Sequence, residues 1–325
     1  MIDQFARRIT YLRLSVIDRC NLACVYCMPK GGLLSAGSAD QLTIEEIERL
    51  ARIFASLGIR KVRLTGGEPT LRRGIEEIVA RIKNISGIRE IVMTTNGIVL
   101  SRIAQTLRTA GLDRVNISLD TLDRAKFRRI AGPDRLADVL ESVDKALEAG
   151  LRPVKLNTVV MRGINDEEVV DLLRFAVAKE ISIRFIEVMP THQSVFTARE
   201  RLVPSQEVKE KIEQHYELEN APAYAGSPSR DFWVMGTRTM VGFISPLSNF
   251  FCAQCNRIRL KANGGLKTCL HGEESVNLRK LLREGSTDGE VAEVISRTVY
   301  HRAAEHFLNN DFVPHKDFFM SQVGG

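Results

Sequence analysis

The stretch from Thr43 to Pro69, TIEEIERLARIFASLGIRKVRLTGGEP, contains the unit from which the fold is built. Its apolar residues first recur at steps of three and four, as on one face of an amphipathic helix. Thr43 and Glu46 fit a capping box at the helix start, and Gly58 fits a left-handed stop. The β-branched run KVRLT follows and ends in two glycines and a glutamate. The stretch therefore predicts a helix, a buried strand and a polar turn at the strand's carboxyl end.

The same alternation runs from residue 11 to about residue 190. Helix-period segments separate six β-rich runs: YLRLSVI (11–17), KVRLTGG (61–67), IVMTTNG (91–97), RVNISLD (114–120), VKLNTVV (154–160) and SIRFIEVMP (182–190). Six such units in series predict a parallel sheet with right-handed crossovers. Most runs finish in polar or Gly-rich residues, and polar groups at one end of many strands are typical of a barrel's active face. We therefore expect an α/β fold with an incomplete, six-unit parallel β/α barrel.

After about residue 195 the pattern changes. We therefore divide the chain into a partial barrel at 1–195 and a smaller α+β region at 196–325 that covers the barrel's open side. This second region is expected to contain a helix that begins at Pro204 or Ser205 and a β-run, TMVGFISPL. A hairpin with its turn at residues 263–265 should follow, and then two helices at roughly 276–284 and 288–308.

Composition limits the possible function classes. The chain has 325 residues, a hydrophobic fraction of 44% and a net charge of +6. No apolar run approaches the roughly 18 residues that a membrane-spanning helix needs, and the first residues do not form a secretory signal. We therefore expect a cytoplasmic protein without a membrane association. The positive charge fits solvated helix faces or an anionic partner, and charge alone does not choose between them.

Six cysteines fall into two groups of three, which we call the first and the second trio. The first trio lies in CNLACVYC, directly after the first predicted strand, and comprises Cys20, Cys24 and Cys27. The second trio comprises Cys252, Cys255 and Cys269. Four thiolates close a structural zinc or iron–sulfur site, whereas three leave one coordination position open. Two trios therefore suggest two metal centres, each with a position for a ligand from outside the protein.

Zinc is the alternative for these cysteines. His271 could complete a Cys3His zinc site with the second trio, or two cysteines from each trio could build one zinc site. No histidine lies near residues 20–27, so zinc fits the first trio poorly.

The first trio, with Tyr26 before its last cysteine, and the strand that ends in TGGEP resemble the radical S-adenosylmethionine (SAM) superfamily. More closely, the segments YLRLSVIDRCNLACVYCMP, VRLTGGEPTLR, TTNG, NISLD, RFIEVMP, FCAQCNRIRL and MSQVGG resemble the GTP 3′,8-cyclase family. That family starts molybdenum cofactor biosynthesis. The resemblance covers essentially the whole chain. The first trio specifies only the superfamily, whereas the second trio with CNRIRL and the Gly-Gly terminus points to the cyclases.

The resemblance implies two [4Fe–4S] clusters and SAM as cofactors. Each trio would hold three irons of one cluster; SAM would chelate the open iron of the first cluster, and the guanine of GTP would face that of the second. The implied SAM-binding residues are Tyr26, Gly67, Ser118 and Met189. The implied GTP-binding residues are Arg13, Arg63, Thr94, Lys155, Arg257, Ile258 and Arg259. Several cations suit a triphosphate because arginine contacts phosphate bidentately. For Tyr26 and Met189, packing in the core is the competing interpretation.

The implied reaction converts GTP to 3′,8-cyclo-7,8-dihydro-GTP. A 5′-deoxyadenosyl radical takes the ribose 3′ hydrogen, and the carbon radical then attacks position 8 of guanine. The tail residues Gly324 and Gly325 would reach into the pocket and assist catalysis. The implied partners are an external electron donor, a second copy of the chain in a homodimer, and cyclic pyranopterin monophosphate synthase, which would receive the product.

Two competing hypotheses remain. The first is another radical SAM enzyme with an auxiliary cluster, such as a peptide-modifying maturase; those usually carry more C-terminal cysteines and lack CNRIRL. The second is a zinc-containing nucleic-acid-binding protein. Such a protein should interleave basic residues with exposed aromatic residues, but aromatic residues make up only 6% of this chain and do not cluster with the basic ones. We therefore expect no nucleic-acid partner.

Overall fold

Six parallel strands in chain order form the centre of the molecule. They are β1 (Tyr11–Ser15), β2 (Lys61–Thr65), β3 (Glu90–Thr95), β4 (Arg114–Ser118), β5 (Lys155–Val160) and β6 (Ser182–Glu187). The computed structural model describes residues 1–27, 40–190, 198–222, 226–306 and 320. Each of the first five strands pairs in parallel with the next. All six sequence-predicted strands are confirmed.

Helices cover the outside of these strands. They are α1 (Ile44–Ser56), α2 (Ile75–Lys83), α3 (Leu100–Thr109), α4 (Arg124–Ala131), α5 (Leu136–Glu148) and α6 (Val169–Ala178). The predicted capping box at the start of α1 is present, because the Thr43 side chain accepts from the Glu46 amide and the Glu46 side chain accepts from the Thr43 amide. Gly58 adopts φ +97°, so it supplies the predicted left-handed stop.

The strands that follow residue 195 extend both edges of the same sheet. Next to β6 lie β9 (Met240–Ile244), β8 (Ser229–Val234) and β7 (Leu218–Asn220). Next to β1 lie β10 (Arg257–Leu260), β11 (Gly265–Lys267) and β12 (Val276–Asn277). Within the described residues the two outermost strands, β7 and β12, do not pair with each other, so the sheet stays open. An incomplete barrel was expected, and the open sheet confirms it.

The later helices begin and end differently from their predictions. After α7 (Ala198–Arg201), α8 (Ser205–Glu213) begins as expected. The helix predicted at 276–284 is α9 (Leu278–Arg283): residues 276–277 pair with β11 instead, and the Asn277 side chain caps α9. The helix predicted at 288–308 is α10 (Asp288–Tyr300). It stops because residues 301–306 turn away, and residues 307–308 lie outside the described part.

Alternation along the central strands separates two faces. Leu12, Leu14, Val62 and Leu64 point to the helices and are buried in the main hydrophobic core. Their neighbours Tyr11, Arg13, Lys61 and Arg63 face the inside of the open barrel, where they line a cavity. A period of two therefore places the core and the site on opposite sides of the same strands.

The C-terminal strands continue the barrel's own sheet, so the boundary at residue 195 is not marked by a separate sheet. The division into 1–195 and 196–325 stays a prediction. Among the described residues, no helix has both the length and the apolar character that crossing a membrane requires.

Candidate functional site

The first trio lies on the loop after β1, at the carboxyl ends of the central strands. All three cysteines are half-buried, and they line a cavity of 190 Å³. Two backbone hydrogen bonds join this loop to the end of α4: Ala23 donates to Ala131 (3.0 Å) and Val25 donates to Ile130 (2.9 Å). The fold therefore fixes the loop that carries the three thiols.

The electrostatics of the first trio suit an iron cluster. Burial raises the pKa of the Cys24 thiol well above its usual range, and nearby Cys27, Asp120 and Cys20 raise it further. Three thiolates this close repel one another unless positive charge compensates them. Bound iron supplies that charge and keeps coordinating thiols deprotonated. The donor set therefore fits a cluster.

The four residues predicted to bind SAM come together here. Tyr26, Gly67, Ser118 and Met189 all line the cavity that contains the first trio. The Tyr26 hydroxyl donates to Asp120 Oδ2 at 2.7 Å, and the Val159 amide donates to the other oxygen at 2.8 Å. Burial raises the pKa of Asp120 to about 6, although these two hydrogen bonds lower it. Tyr26 is thus held by a specific hydrogen bond to a neighbouring strand and does not only pack.

The two glycines of TGGEP make room for the protein's own backbone. A β-carbon on Gly67 would come within 2.1 Å of the Arg19 carbonyl oxygen, and one on Gly66 within 2.1 Å of the Ile17 carbonyl oxygen. The Gly67 amide donates to Ile17 (2.7 Å) and the Glu68 amide to Arg19 (2.8 Å). The resemblance implied that Gly67 contacts SAM, and that contact stays a prediction. The structure shows a close approach to the chain segment that leads into the first trio.

Glu68, the next residue, joins three loops. Its buried carboxylate accepts hydrogen bonds from the Thr70 amide (3.0 Å) and hydroxyl (2.6 Å), the Thr95 hydroxyl (2.7 Å) and the Asn96 amide (2.7 Å). Asn96 in turn donates to Asn21 at 2.8 Å, inside the loop of the first trio. Glu68 therefore ties the ends of β2 and β3 to this loop, a role that sequence analysis missed.

The second trio lies on the wall of a larger cavity of 560 Å³. Cys252 and Cys255 flank a short 3₁₀ turn before β10, and Cys269 follows β11. Burial raises the pKa of the Cys255 thiol, but the guanidinium groups of Arg257 and Arg302 outweigh this effect and lower it to about 6. Cys255 is thus held as a thiolate, the form that binds metal.

Within the described residues, no three His, Cys, Asp or Glu side chains come together closely enough to hold one metal ion. The Cys3His site with His271 and the zinc site shared by the two trios stay alternatives to a cluster, in which each cysteine binds a different iron.

Cations that the sequence singled out surround the larger cavity. Arg13, Arg63, Lys155, Arg257 and Arg259 line it together with Thr94, whose hydroxyl accepts a 2.7 Å hydrogen bond from Arg63. Strand pairing explains this: Arg13 lies opposite Arg63 on one side and opposite Arg259 on the other. Ile258 is different. Its side chain is 1% exposed and packs in the core, so any contact of Ile258 with GTP is left to its main chain and stays a prediction.

Burial and the neighbouring cations lower the pKa of several of these residues. Burial, and then the Arg259 guanidinium, hold the pKa of Arg13 well below its usual range. Burial and Arg257 lower the pKa of Arg259 to about 10. Burial, with Arg184 next, lowers the pKa of Lys155 to about 7. Perturbed pKa values of this kind cluster at functional sites.

Sequence analysis missed several residues of this cavity. Tyr11, Lys61, Arg114 and Arg184 also line it. Tyr11 accepts a hydrogen bond from Arg63, and Arg184 pairs with Asp231 at 3.2 Å. The signal was present in the strand alternation, because every second residue of YLRLS, KVRLT and RVNIS is polar. Applied to all six strands, this alternation of polar and apolar residues would have predicted which residues face the inside of the barrel.

The two cavities adjoin. Thr94, Asn157, Ile186 and Met189 line both of them, and so does Met320, the one described residue after position 306. Gly324 and Gly325, which were predicted to be catalytic, lie outside the described residues. One trio therefore opens on each of two connected chambers, and the chamber with the second trio is rich in cations.

Comparison with known proteins agrees with this arrangement. Residues 14–176 match the Radical SAM superfamily and residues 181–308 match Molybdenum Cofactor Synthesis C. Among solved structures, SuiB of Streptococcus suis bound to S-adenosylmethionine shares the fold, with a TM-score of 0.61, 14% identity, and coverage of 88% of this chain and 68% of that one. The fold and the first trio define a radical SAM enzyme.

Full-length relatives are more specific. The GTP 3′,8-cyclase of Heliobacterium modesticaldum is 46% identical and that of Moorella thermoacetica 44%, each over 100% of both chains. The chain therefore belongs to the GTP 3′,8-cyclase family.

Proposed function

We propose that this enzyme converts GTP to 3′,8-cyclo-7,8-dihydro-GTP, the first step of molybdenum cofactor biosynthesis. The observation that carries the proposal is the junction of the two chambers, where Thr94, Asn157, Ile186 and Met189 belong to both. Chemistry that starts at the first trio can therefore reach a substrate bound near the second. The relatives that are 40–46% identical carry the same activity in their names.

The first chamber would hold a [4Fe–4S] cluster on Cys20, Cys24 and Cys27, with SAM beside Tyr26, Gly67, Ser118 and Met189. When bound there, the cluster and SAM would supply the radical chemistry that removes the hydrogen atom from the 3′ carbon of the ribose. The protein's own part is to hold the thiol loop against α4 and the β2 turn. At the junction, the apolar side chains of Ile186 and Met189 lie beside the polar side chains of Thr94 and Asn157.

The second chamber would bind GTP. Arg13, Arg63, Lys155, Arg257 and Arg259 face one space, and Thr94 adds a hydroxyl beside Arg63. A triphosphate carries enough negative charge to compensate several of these cations, and guanidinium groups grip phosphate oxygens bidentately. Binding would therefore relieve the repulsion within the ligand-free site.

A second [4Fe–4S] cluster on Cys252, Cys255 and Cys269 is part of the proposal. Three thiolates on the wall of the cationic chamber would leave one iron open toward the guanine, so that the base is fixed while the triphosphate is gripped on the other side. The carboxyl-terminal Gly324 and Gly325 would enter the same space, a proposal supported by the position of Met320 between the two chambers.

Three partners complete the proposal. The first cluster needs an external electron donor, the product passes to cyclic pyranopterin monophosphate synthase, and the chain acts as a homodimer in the cytoplasm. The net charge of +6 is assigned to the substrate chamber and solvated helix faces, not to a nucleic acid.

The test is anaerobic reconstitution followed by incubation with SAM, a reductant and GTP. We expect about eight irons per chain, formation of 5′-deoxyadenosine, and consumption of GTP to the cyclised product. Cleavage of SAM with GTP untouched would contradict the proposal and favour another radical SAM enzyme, such as a peptide-modifying maturase. Bound zinc without iron would contradict both.

A further inference from the structure

Arg302 is a buried arginine that contacts a thiol of the second trio. It follows α10 and is 5% exposed. Its Nη2 donates to Cys255 Sγ at 2.9 Å, and its Nη1 donates to the carbonyl oxygens of Cys255 and Arg257, both at 3.2 Å. One guanidinium thus holds the sulfur and two carbonyl oxygens of the chain that follows it.

Arg302 is itself held in place from the amino terminus. Gln4 Nε2 donates to the Arg302 carbonyl at 3.1 Å, and the Gln4 amide donates to the Tyr300 carbonyl at 3.1 Å. Arg7, which pairs with Asp3 at 2.6 Å, donates to the carbonyls of Ala303 and Ala304. Packing and these hydrogen bonds therefore hold Arg302, the donor to Cys255, in place. A residue that acts by positioning another residue must itself be held in this way.

Arg302 differs from the other arginine near this sulfur. Both arginines line the larger cavity. Arg257 Nη2 lies at 3.5 Å from Cys255 Sγ, and its guanidinium stacks over Phe251. Arg302 Nη2 lies closer to the sulfur, at 2.9 Å, and the same guanidinium also binds two main-chain oxygens.

A donor at a ligating sulfur affects the redox state of a cluster. Reduction adds negative charge that is shared by the sulfurs, so a nearby cation and an N–H···S hydrogen bond stabilise the reduced form more than the oxidised form. In a buried site this effect is only weakly screened. We propose that Arg302 is a positioning residue that orients Cys255 and raises the reduction potential of the second cluster. This inference rests on the proposed second cluster.

The test compares redox titrations of reconstituted Arg302→Met and wild-type protein, followed by electron paramagnetic resonance of each reduced cluster. Methionine fills a similar volume without a charge or a donor. We expect the equilibrium constant for reducing the second cluster to fall roughly tenfold, which corresponds to about 59 mV for one electron. The first cluster is the internal reference and should not move. In Arg302→Lys, which keeps the charge, the shift should be smaller.

Arg7→Lys is the matched control. It keeps a cation beside Asp3 but weakens the grip on residues 303–304, and Arg7 contacts the second trio only at the Cys252 carbonyl (3.0 Å). We expect the potential of its second cluster to shift by less than that of Arg302→Met, because the contact of Arg302 with Cys255 remains. An equal shift in Arg7→Lys would show a general structural effect and overturn the proposal.

The outcomes separate the two proposals. If wild-type protein shows only one cluster, the proposed function fails at its second site. If both clusters form in Arg302→Met and the second keeps its potential, the role of Arg302 is wrong. If Arg302→Met loses the second cluster, the Arg302→Lys variant decides the outcome. A second cluster that is retained in Arg302→Lys with a lowered reduction potential supports the proposal. An unchanged potential or a lost second cluster in Arg302→Lys overturns it.

Discussion

Gly67 lies against Arg19 so closely that a β-carbon on Gly67 would be 2.1 Å from the Arg19 carbonyl oxygen. The contact is backbone to backbone, and it is reinforced by the hydrogen bond from the Glu68 amide to the same oxygen. The chain segment that enters the first trio therefore packs directly against the turn after β2. The glycine therefore makes room for the loop of the first trio, and its contact with SAM stays a prediction.

Gly67→Ala should displace the loop that carries the first trio. Because the obstructing atom is main chain, the loop must move, and we expect a cost of roughly 3 kcal/mol or more in the free energy of unfolding. Iron per chain should fall by about half, since only the first cluster is lost. Anaerobic denaturation and iron analysis measure both.

Gly289→Ala is the control for this substitution. Gly289 lies in α10, and the nearest atom to an added β-carbon, the Thr287 hydroxyl oxygen, is 3.9 Å away. We expect a gain of about 0.5 kcal/mol from helix propensity and an unchanged iron content. Full iron in Gly67→Ala would contradict the role given to this turn.

Glu68→Gln should destabilise the fold through lost acceptors. The carboxylate accepts four hydrogen bonds from three residues while it is 1% exposed. An amide replaces one acceptor oxygen with a donor, so at least one buried donor loses its partner, at about 2 kcal/mol. Denaturant titration measures the loss. Glu77→Gln, which breaks an exposed pair with Arg81, is the control and should cost less than about 1 kcal/mol; equal losses would refute the argument.

Cys269→Ser should separate SAM cleavage from GTP cyclisation. The first trio is intact in this variant, so SAM should still be cleaved, whereas GTP cyclisation should fall by more than roughly 100-fold because a ligand, and not only its surroundings, is lost. Thr268→Ser alters the neighbouring residue of the same chamber and should leave both activities near wild type. Normal turnover of GTP by Cys269→Ser would show that the second trio holds no cluster needed for the reaction.

Local signals predicted much of the fold. The six central strands and the capping box of α1 depend on residues within a few positions of one another, so the sequence was sufficient to locate them. The helix predicted at 276–284 is present but begins at Leu278, because residues 276–277 pair with β11 and the segment alone does not reveal that pairing. The open sheet was predicted from the count of six units.

The site was predicted only in part, because some of its contacts depend on strand pairing that a single segment does not reveal. Arg257 and Arg259 alternate on β10, so Ile258 had to face the other side, and its burial in the core follows from that period. Arg184 was missed because a single strand does not reveal which face is open. The contacts of Gly67 with Arg19 and of Arg302 with Cys255 join residues that are distant along the chain, and no local pattern indicates them.

Binding of GTP should weaken as pH rises above 7. In the ligand-free site burial lowers the pKa of Lys155 to about 7, and although burial raises that of Tyr11, the cations Arg63, Arg13 and Lys61 lower it to about 7. Raising the pH through 7 therefore removes a positive charge and adds a negative one. A bound triphosphate favours the protonated forms of both groups, so binding takes up protons. Between pH 7.2 and 8.5 the terminal phosphate, with a pKa near 6, is already ionised and does not reverse this trend.

Anaerobic calorimetry of the reconstituted protein with GTP and no SAM measures this directly. We expect the dissociation constant to rise roughly tenfold over this range, and buffers of different ionisation enthalpy should report net proton uptake. Lys155→Arg keeps its charge across the range, so the dissociation constant of this variant for GTP should depend on pH about half as steeply as that of the wild type. Titration of Tyr11 supplies the pH dependence that remains. A dissociation constant that is flat with pH in the wild type, or the same slope in Lys155→Arg, would show that Lys155 is not the group that titrates in this chamber.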